Sequence, residues 1–145
     1  MNSLLKSLAT ALVVLTVTRA VQADSQVYQG MVRSTAWVLT PKGSGTGALV
    51  DRTRRLVVTN YHVVEDMSEI MVCFPRFQGG TLIAERKHYL ENMPKLGIRG
   101  RVVAQDPGRD LALIELASVP DDAEALVLAA SSPNPGEQVH SIGNP

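Results

Sequence analysis

The segment Leu56-Val57-Val58-Thr59-Asn60-Tyr61-His62-Val63-Val64 carries a histidine directly after a short apolar stretch. Its first three residues are apolar, two of them β-branched, and they match a short strand. Because His62 follows that strand and is flanked by apolar residues, we expect it at the edge of a β-sheet core. A lone histidine at such a position is more often structural than functional, so other residues must decide its role.

Further short apolar stretches, separated by turn residues, lie on both sides of this segment. The polar connections between them include Pro41-Lys42-Gly43 and residues 51–55, which are short enough for antiparallel hairpins. Together they predict an all-β fold. The predicted strands are Ala36–Leu39, Gly47–Val50, Leu56–Val58, Ile70–Phe74, Ile98–Ala104, Leu111–Leu116, Ala125–Leu128 and Gln138–Ile142.

Residues 75–97 interrupt the series of strands with a long, charged insertion. Its apolar residues at near-helical spacing are Leu82, Tyr89, Leu90 and Met93. Thr81 suits a helix N-cap and Pro94 a helix end, so we expect one short helix here. The insertion is either a substrate or partner loop or a solvated excursion, and the lengths of ordinary loops favour the second interpretation.

The N-terminus is predicted to be a targeting segment. Lys6 precedes an uncharged, mostly apolar stretch that ends at Arg19, and small residues follow at Val21-Gln22-Ala23. This layout is typical of a secretory signal peptide over residues 1–23, followed by a lead-in over residues 24–35. The alternatives are an uncleaved membrane anchor or a buried helix. We expect export to the periplasm or the extracellular space, without stable membrane insertion after cleavage.

The charge and the cysteine and histidine content exclude several classes of function. With 14 basic and 14 acidic residues the chain has no net charge, so nucleic acid is not an expected partner. Cys73 is the only cysteine and lies in an apolar stretch, which favours a buried hydrophobe over a nucleophile. His62, His88 and His140 do not have the spacing of metal ligands, so neither a metal nor another cofactor is expected.

The glycine-rich stretch Gly43-Ser44-Gly45-Thr46-Gly47 has two interpretations. A phosphate-binding loop requires a helix N-terminus after the glycines, whereas a strand is predicted here. Close approach of another chain segment to the backbone, where a side chain would collide, is the better interpretation.

A second candidate segment, Asp106-Pro107-Gly108-Arg109-Asp110, directly precedes the predicted strand Leu111–Leu116. A carboxylate placed there can be held rigidly. Asp106 and Asp110 compete for this role, and either is otherwise a turn residue.

Four motifs together resemble the first barrel of the chymotrypsin-fold, trypsin-like serine proteases, and more closely their HtrA-like (Deg) branch. In the family's order they are Gly43 to Gly47, Thr59 to Val64, Arg109 to Leu113, and Gly136 through Pro145. The resemblance spans residues 36–145 apart from the insertion. It implies an antiparallel Greek-key β-barrel and serine endopeptidase activity on protein or peptide substrates. It also implies His62 as general base and Asp110 as the carboxylate that orients it.

The resemblance also implies a nucleophilic serine in a glycine-rich loop that this chain does not contain. Ser131 and Ser132 lie in a predicted linker, and Ser141 lies in a predicted strand. We therefore expect the first barrel over residues 36–130, and a linker with the start of a truncated second barrel over residues 131–145. Such an N-terminal fragment is expected to be inactive alone and to self-associate through exposed apolar surface. The alternative is a noncatalytic barrel that acts as a binding or chaperone module.

Overall fold

The computed structural model describes residues 27–144. Residues 31–144 form one compact unit. Residues 27–34 are helical and are labelled α1. The signal peptide predicted for residues 1–23 lies outside the described residues. Within residues 27–144, helices are too short or too polar to cross a membrane.

Eight strands and three short helices follow α1. Their bounds are β1 Thr35–Thr40, β2 Gly43–Asp51, β3 Leu56–Thr59, α2 Tyr61–Val64, β4 Glu69–Cys73, β5 Phe77–Gln78, β6 Thr81–Leu82, α3 Arg86–Glu91, α4 Met93–Leu96, β7 Ile98–Asp106 and β8 Leu111–Leu116.

Six of the strands form a closed antiparallel barrel in the order β1-β2-β3-β8-β7-β4. The first three strands are consecutive neighbours, and β4 returns to pair with β1. The spatial order β4-β1-β2-β3 is that of a Greek key. The predicted all-β, antiparallel Greek-key barrel is therefore confirmed.

Alternating side chains of these strands fill the barrel. In β8, Ala112, Ile114 and Leu116 are buried while the residues between them are partly exposed. This period of two places one face of each strand against the core. The core cluster consists of Ala36, Val38, Leu49, Val57, Val64, Ile70, Val72, Phe74, Ala112, Ile114, Leu116 and Ala123.

The insertion contains more structure than the sequence predicted. One short helix was expected after a Thr81 cap, but Thr81 lies in the β5–β6 hairpin and α3 begins after Glu85. Pro94 does not end that helix. It lies in the first turn of α4, where the missing N–H of proline costs nothing.

Two predicted strands are wrong. Ala125–Leu128 and Gln138–Ile142 are irregular, although the backbone N–H of Leu126 donates to the Leu49 carbonyl at 2.8 Å. Both stretches are apolar enough for strands. The six-strand barrel is closed, however, and offers no free edge with which they could pair.

Candidate active site

His62 is the second residue of α2, the single helical turn that follows β3. Strand β3 is fixed between β2 and β8, and the Thr59 hydroxyl donates to the Thr46 carbonyl at 2.8 Å. Val64, two residues after the histidine, is fully buried in the core. The turn is therefore anchored at both ends, while the His62 side chain remains 70% exposed.

Asp110 lies beside His62 and contacts it twice. Its Oδ2 is 2.8 Å from His62 Nδ1, and its Oδ1 accepts the backbone N–H of His62 at 2.9 Å. The first contact fixes the plane of the imidazole ring, and the second fixes the carboxylate relative to the helix. A hydrogen bond at Nδ1 leaves the other ring nitrogen, Nε2, as the one able to accept a proton.

Asn60 adds a third donor to this carboxylate. Its side-chain amide donates to Asp110 Oδ2 at 3.1 Å and to the Asp110 carbonyl at 3.2 Å. Asn60 occupies the N-cap position of α2 but makes no capping bond, since its amide is turned toward Asp110. The sequence motif contained Asn60 without indicating this role, because the contact joins residues 50 positions apart.

Asp110 is also held by its own backbone. It has a positive φ of 54°, a left-handed conformation that aspartate tolerates better than most residues.

Hydrogen bonds from the His62 backbone N–H, and then from the His62 ring, lower the pKa of Asp110, and Asn60 adds a smaller effect in the same direction. The carboxylate is therefore ionised at neutral pH.

Asp106, the competing aspartate, has a different function. Its Oδ1 accepts the Arg109 backbone N–H, and its Oδ2 accepts from the Arg109 guanidinium, both at 3.0 Å. Asp106 thus closes the turn between β7 and β8, and this turn presents Asp110 to His62.

The glycines of β2 allow α2 to lie close to the barrel. A Cβ atom on Gly45 would lie 2.5 Å from Val63 Cγ2, and one on Gly47 would lie 2.6 Å from Val57 Cγ1. No such contact limits Gly43. Gly45 therefore allows the residue next to His62 to pack against the strand, as the close-approach interpretation predicted.

A groove with a volume of about 360 Å³ lies beside His62. Two of its lining residues, Lys42 and Glu65, form an ion pair with 2.5 Å between Nζ and Oε2. The sequence did not indicate this ion pair. The hydrogen bond to Lys42 lowers the pKa of Glu65. The groove is lined by Thr40, Lys42, Gly43, Ser44, Gly45, Thr46, Asn60, His62, Val63, Glu65 and Met67.

Other candidate nucleophiles and ligands lie apart from this pair. Within residues 27–144, serine hydroxyls make no hydrogen bond to His62, and Ser131, Ser132 and Ser141 are exposed. Burial raises the pKa of the Cys73 thiol to about 11, so this cysteine is protonated at neutral pH. The described part of the chain contains no group of three or more His, Cys, Asp or Glu side chains that would hold a metal.

A family model described as the trypsin-like peptidase domain matches residues 45–145, a range that includes both His62 and Asp110. The chain belongs to the trypsin-like peptidase family. A search of the curated proteins gave no significant match.

Solved structures show the same fold as this trypsin-like peptidase domain. The Rv3671c protease of M. tuberculosis H37Rv, in an inactive form, aligns with a TM-score of 0.51 and 22% identity, covering 74% of this chain and 43% of that chain. Deg5 aligns with a TM-score of 0.54 and 21% identity, covering 76% of this chain and 49% of that chain. The resemblance to trypsin-like proteases is thus confirmed, and the chain spans less than half the length of these two proteins.

Proposed function

We propose that this chain supplies the general base and its orienting carboxylate to a serine endopeptidase. The observation that carries the proposal is the 2.8 Å contact between His62 Nδ1 and Asp110 Oδ2, beside an open groove. Membership of the trypsin-like peptidase family supports the same chemistry.

In the proposed reaction, His62 Nε2 takes the proton of a serine hydroxyl while the serine oxygen bonds to the scissile carbonyl carbon. The tetrahedral intermediate then collapses, and the imidazolium returns the proton to the leaving amine. Asp110 accepts the Nδ1 proton in a hydrogen bond throughout and stabilises the imidazolium. Water then hydrolyses the acyl-enzyme: His62 takes a proton from the attacking water and returns it to the serine oxygen as the acyl group leaves.

The nucleophilic serine of this proposal lies outside residues 1–145. A protease that loses one triad member still accelerates hydrolysis by about 10³- to 10⁴-fold over the reaction in water, because its oxyanion hole and substrate-binding groups remain. This chain is proposed to lack the serine and those groups together, so the isolated chain is expected to have no peptidase activity.

A fluorophosphonate probe, which forms a bond to activated serines, tests the proposal. The coding sequence is extended in frame past codon 145, and the resulting protein is labelled alongside its His62→Ala variant. Labelling that is lost in the variant supports an active triad. Absence of labelling in the extended protein with intact His62 would contradict it and select the noncatalytic binding module.

We also propose that the protein is exported to the periplasm or the extracellular space. The proposal is supported by the basic start, the apolar centre and the small residues around Ala23 in the sequence. Mass spectrometry of the mature N-terminus after secretion checks it. A cell-retained protein that begins at Met1 would contradict both cleavage and export.

A further inference from the structure

Asn60 is the N-cap residue of α2, but its side chain does not cap the helix. An N-cap side chain normally accepts the backbone N–H of the second or third helical residue, which here are His62 and Val63. The His62 N–H donates to Asp110 Oδ1 at 2.9 Å, and the Val63 N–H donates to the Asn60 carbonyl at 3.2 Å. Asp110 therefore caps α2 from a distant part of the chain, and the Asn60 side chain makes a different contact.

The Asn60 amide binds the side chain and the backbone of Asp110 at the same time. Its nitrogen Nδ2 lies 3.1 Å from Asp110 Oδ2 and 3.2 Å from the Asp110 carbonyl oxygen. Carboxylate and carbonyl oxygens only accept hydrogen bonds, so the nitrogen of the amide faces them rather than its oxygen. Because the nitrogen carries two hydrogens, one for each acceptor, the amide ties the carboxylate of Asp110 to its own backbone.

The conformation of Asp110 needs this support. Its φ is positive, and its own backbone N–H reaches the Pro107 carbonyl only at 3.3 Å, which is long for a hydrogen bond. Its side chain is 44% exposed, so water competes for the carboxylate oxygens. Without the Asn60 amide, the His62 ring would be the remaining hydrogen-bond partner of Oδ2 among the described residues.

We propose that Asn60 is a positioning residue that holds Asp110 in the orientation at which Oδ2 accepts the Nδ1 proton of His62. This role rests on the proposed function, because it takes His62 as the general base. A neutral imidazole carries its proton on either nitrogen, and only the form with the proton on Nδ1 can accept a serine proton at Nε2. By fixing Oδ2, Asn60 favours that form without contacting the ring.

The ratio of the two His62 tautomers can be measured in the 145-residue chain, without the serine. Nuclear magnetic resonance correlation of the carbon-bound ring protons with the ring nitrogens reports this ratio. The pH is raised until the nitrogen shifts stop changing, so that only neutral rings are observed. The other two histidines, His88 and His140, provide internal references.

Asn60→Ser separates positioning from helix capping. Serine is as good an N-cap as asparagine, but its short hydroxyl cannot replace the amide at both oxygens of Asp110. We expect the urea midpoint to stay close to that of the parent chain. The ratio of Nδ1–H to Nε2–H in His62 should fall about tenfold, the net effect of one hydrogen bond to a charged group. An unchanged ratio would overturn the proposal.

Asn60→Gln is the matched variant, because it retains the amide but is not a preferred N-cap. A capping role predicts that this variant is the more disturbed of the two. A positioning role predicts that it keeps more of the Nδ1–H form of His62 than Asn60→Ser does. Equal loss of that form in the two variants would also overturn the proposal, since the amide would then have no part in it.

Kinetics of the extended protein distinguish this role from the proposed function. Asn60→Ser should lower kcat about tenfold and leave KM nearly unchanged, because the Asn60 amide acts through Asp110. Equal kcat in this variant and the parent would contradict the positioning role and leave the peptidase intact. Loss of the Nδ1–H form in a protein that the fluorophosphonate probe does not label would contradict the peptidase and support the positioning role.

Discussion

Asp110 and Asp106 lie on the same turn, but their carboxylates contact different groups. Substitutions of the two residues should therefore have different effects on peptidase activity. Asp110→Asn replaces one carboxylate oxygen with an N–H donor, which no longer accepts from His62 Nδ1 and favours the wrong His62 tautomer, so kcat of the extended protein should fall by about 10⁴-fold. Asp106→Asn changes a carboxylate that contacts Arg109 rather than His62, and most of the activity should remain. Peptide hydrolysis assays of the two variants check this, and comparable losses would refute the proposed role of Asp110.

The lowered pKa of Asp110 also predicts a dependence of stability on pH. Since hydrogen bonds from His62 hold this pKa below its ordinary value, the ionised carboxylate stabilises the folded state above the unfolded-state pKa of about 3.9. That stabilisation disappears as the pH falls through the folded-state pKa. The parent chain should therefore exceed Asp110→Asn in urea midpoint at pH 7, and the gap should shrink below pH 4. A gap that stays constant between pH 7 and pH 3 would exclude this linkage.

Among the secondary-structure elements, α2 depends on the absence of a side chain at Gly45. In Gly45→Ala the new Cβ would meet Val63 Cγ2 at 2.5 Å and displace the turn that carries His62. We expect a loss of about 1–3 kcal/mol in the free energy of unfolding, together with reduced activity of the extended protein. Urea denaturation and hydrolysis assays measure the two effects.

Gly43→Ala is the control for this substitution, because it lies in the same strand and its Cβ would meet nothing within 4 Å. Adding Val63→Ala to Gly45→Ala removes the methyl groups that collide, so the double variant should recover part of the lost activity. Strictly additive effects of the two substitutions would show that Gly45 and Val63 are not coupled.

The sequence predicted those elements whose pattern is local. Leu111–Leu116 was predicted with its observed bounds because its short apolar stretch and the preceding turn are both visible in the sequence. The stretch Gln138–Ile142 also suited a strand, but it is irregular. The sequence does not reveal that the barrel is closed and has no free strand edge for this stretch to pair with. The His62–Asp110 pair required the family resemblance, since 48 positions separate its members. The Asn60 contact and the groove ion pair depend on three-dimensional proximity alone.

For the molecule as a whole, apolar side chains outside the barrel predict self-association. Val127, Leu128 and Val139 are 94%, 75% and 69% exposed, respectively. We expect the chain to form concentration-dependent oligomers, and replacement of all three residues with serine should reduce its mean mass in light scattering.

Replacement of Leu90 and Val103 with serine is the control for the triple variant. These two residues are also exposed, but they lie in helix α3 and strand β7 rather than in the irregular segment after β8. The N-terminal apolar segment is common to all variants, so a difference reports on the replaced side chains. Equal oligomerisation in the parent chain and the triple variant would refute this prediction.

Closure of the barrel through β3 and β8 determines the order of events during synthesis. Arg55, which precedes β3, hydrogen-bonds to Leu116 across 61 positions, so β3 leaves the ribosome well before its partner exists. A nascent chain stalled before Leu111 should show little hydrogen-exchange protection in β3, and early protection there would disprove this order. Because Asp110 directly precedes β8, His62 also lacks its carboxylate until that late step. Translation itself thus delays assembly of the proposed proton-transfer pair until β8 has been made.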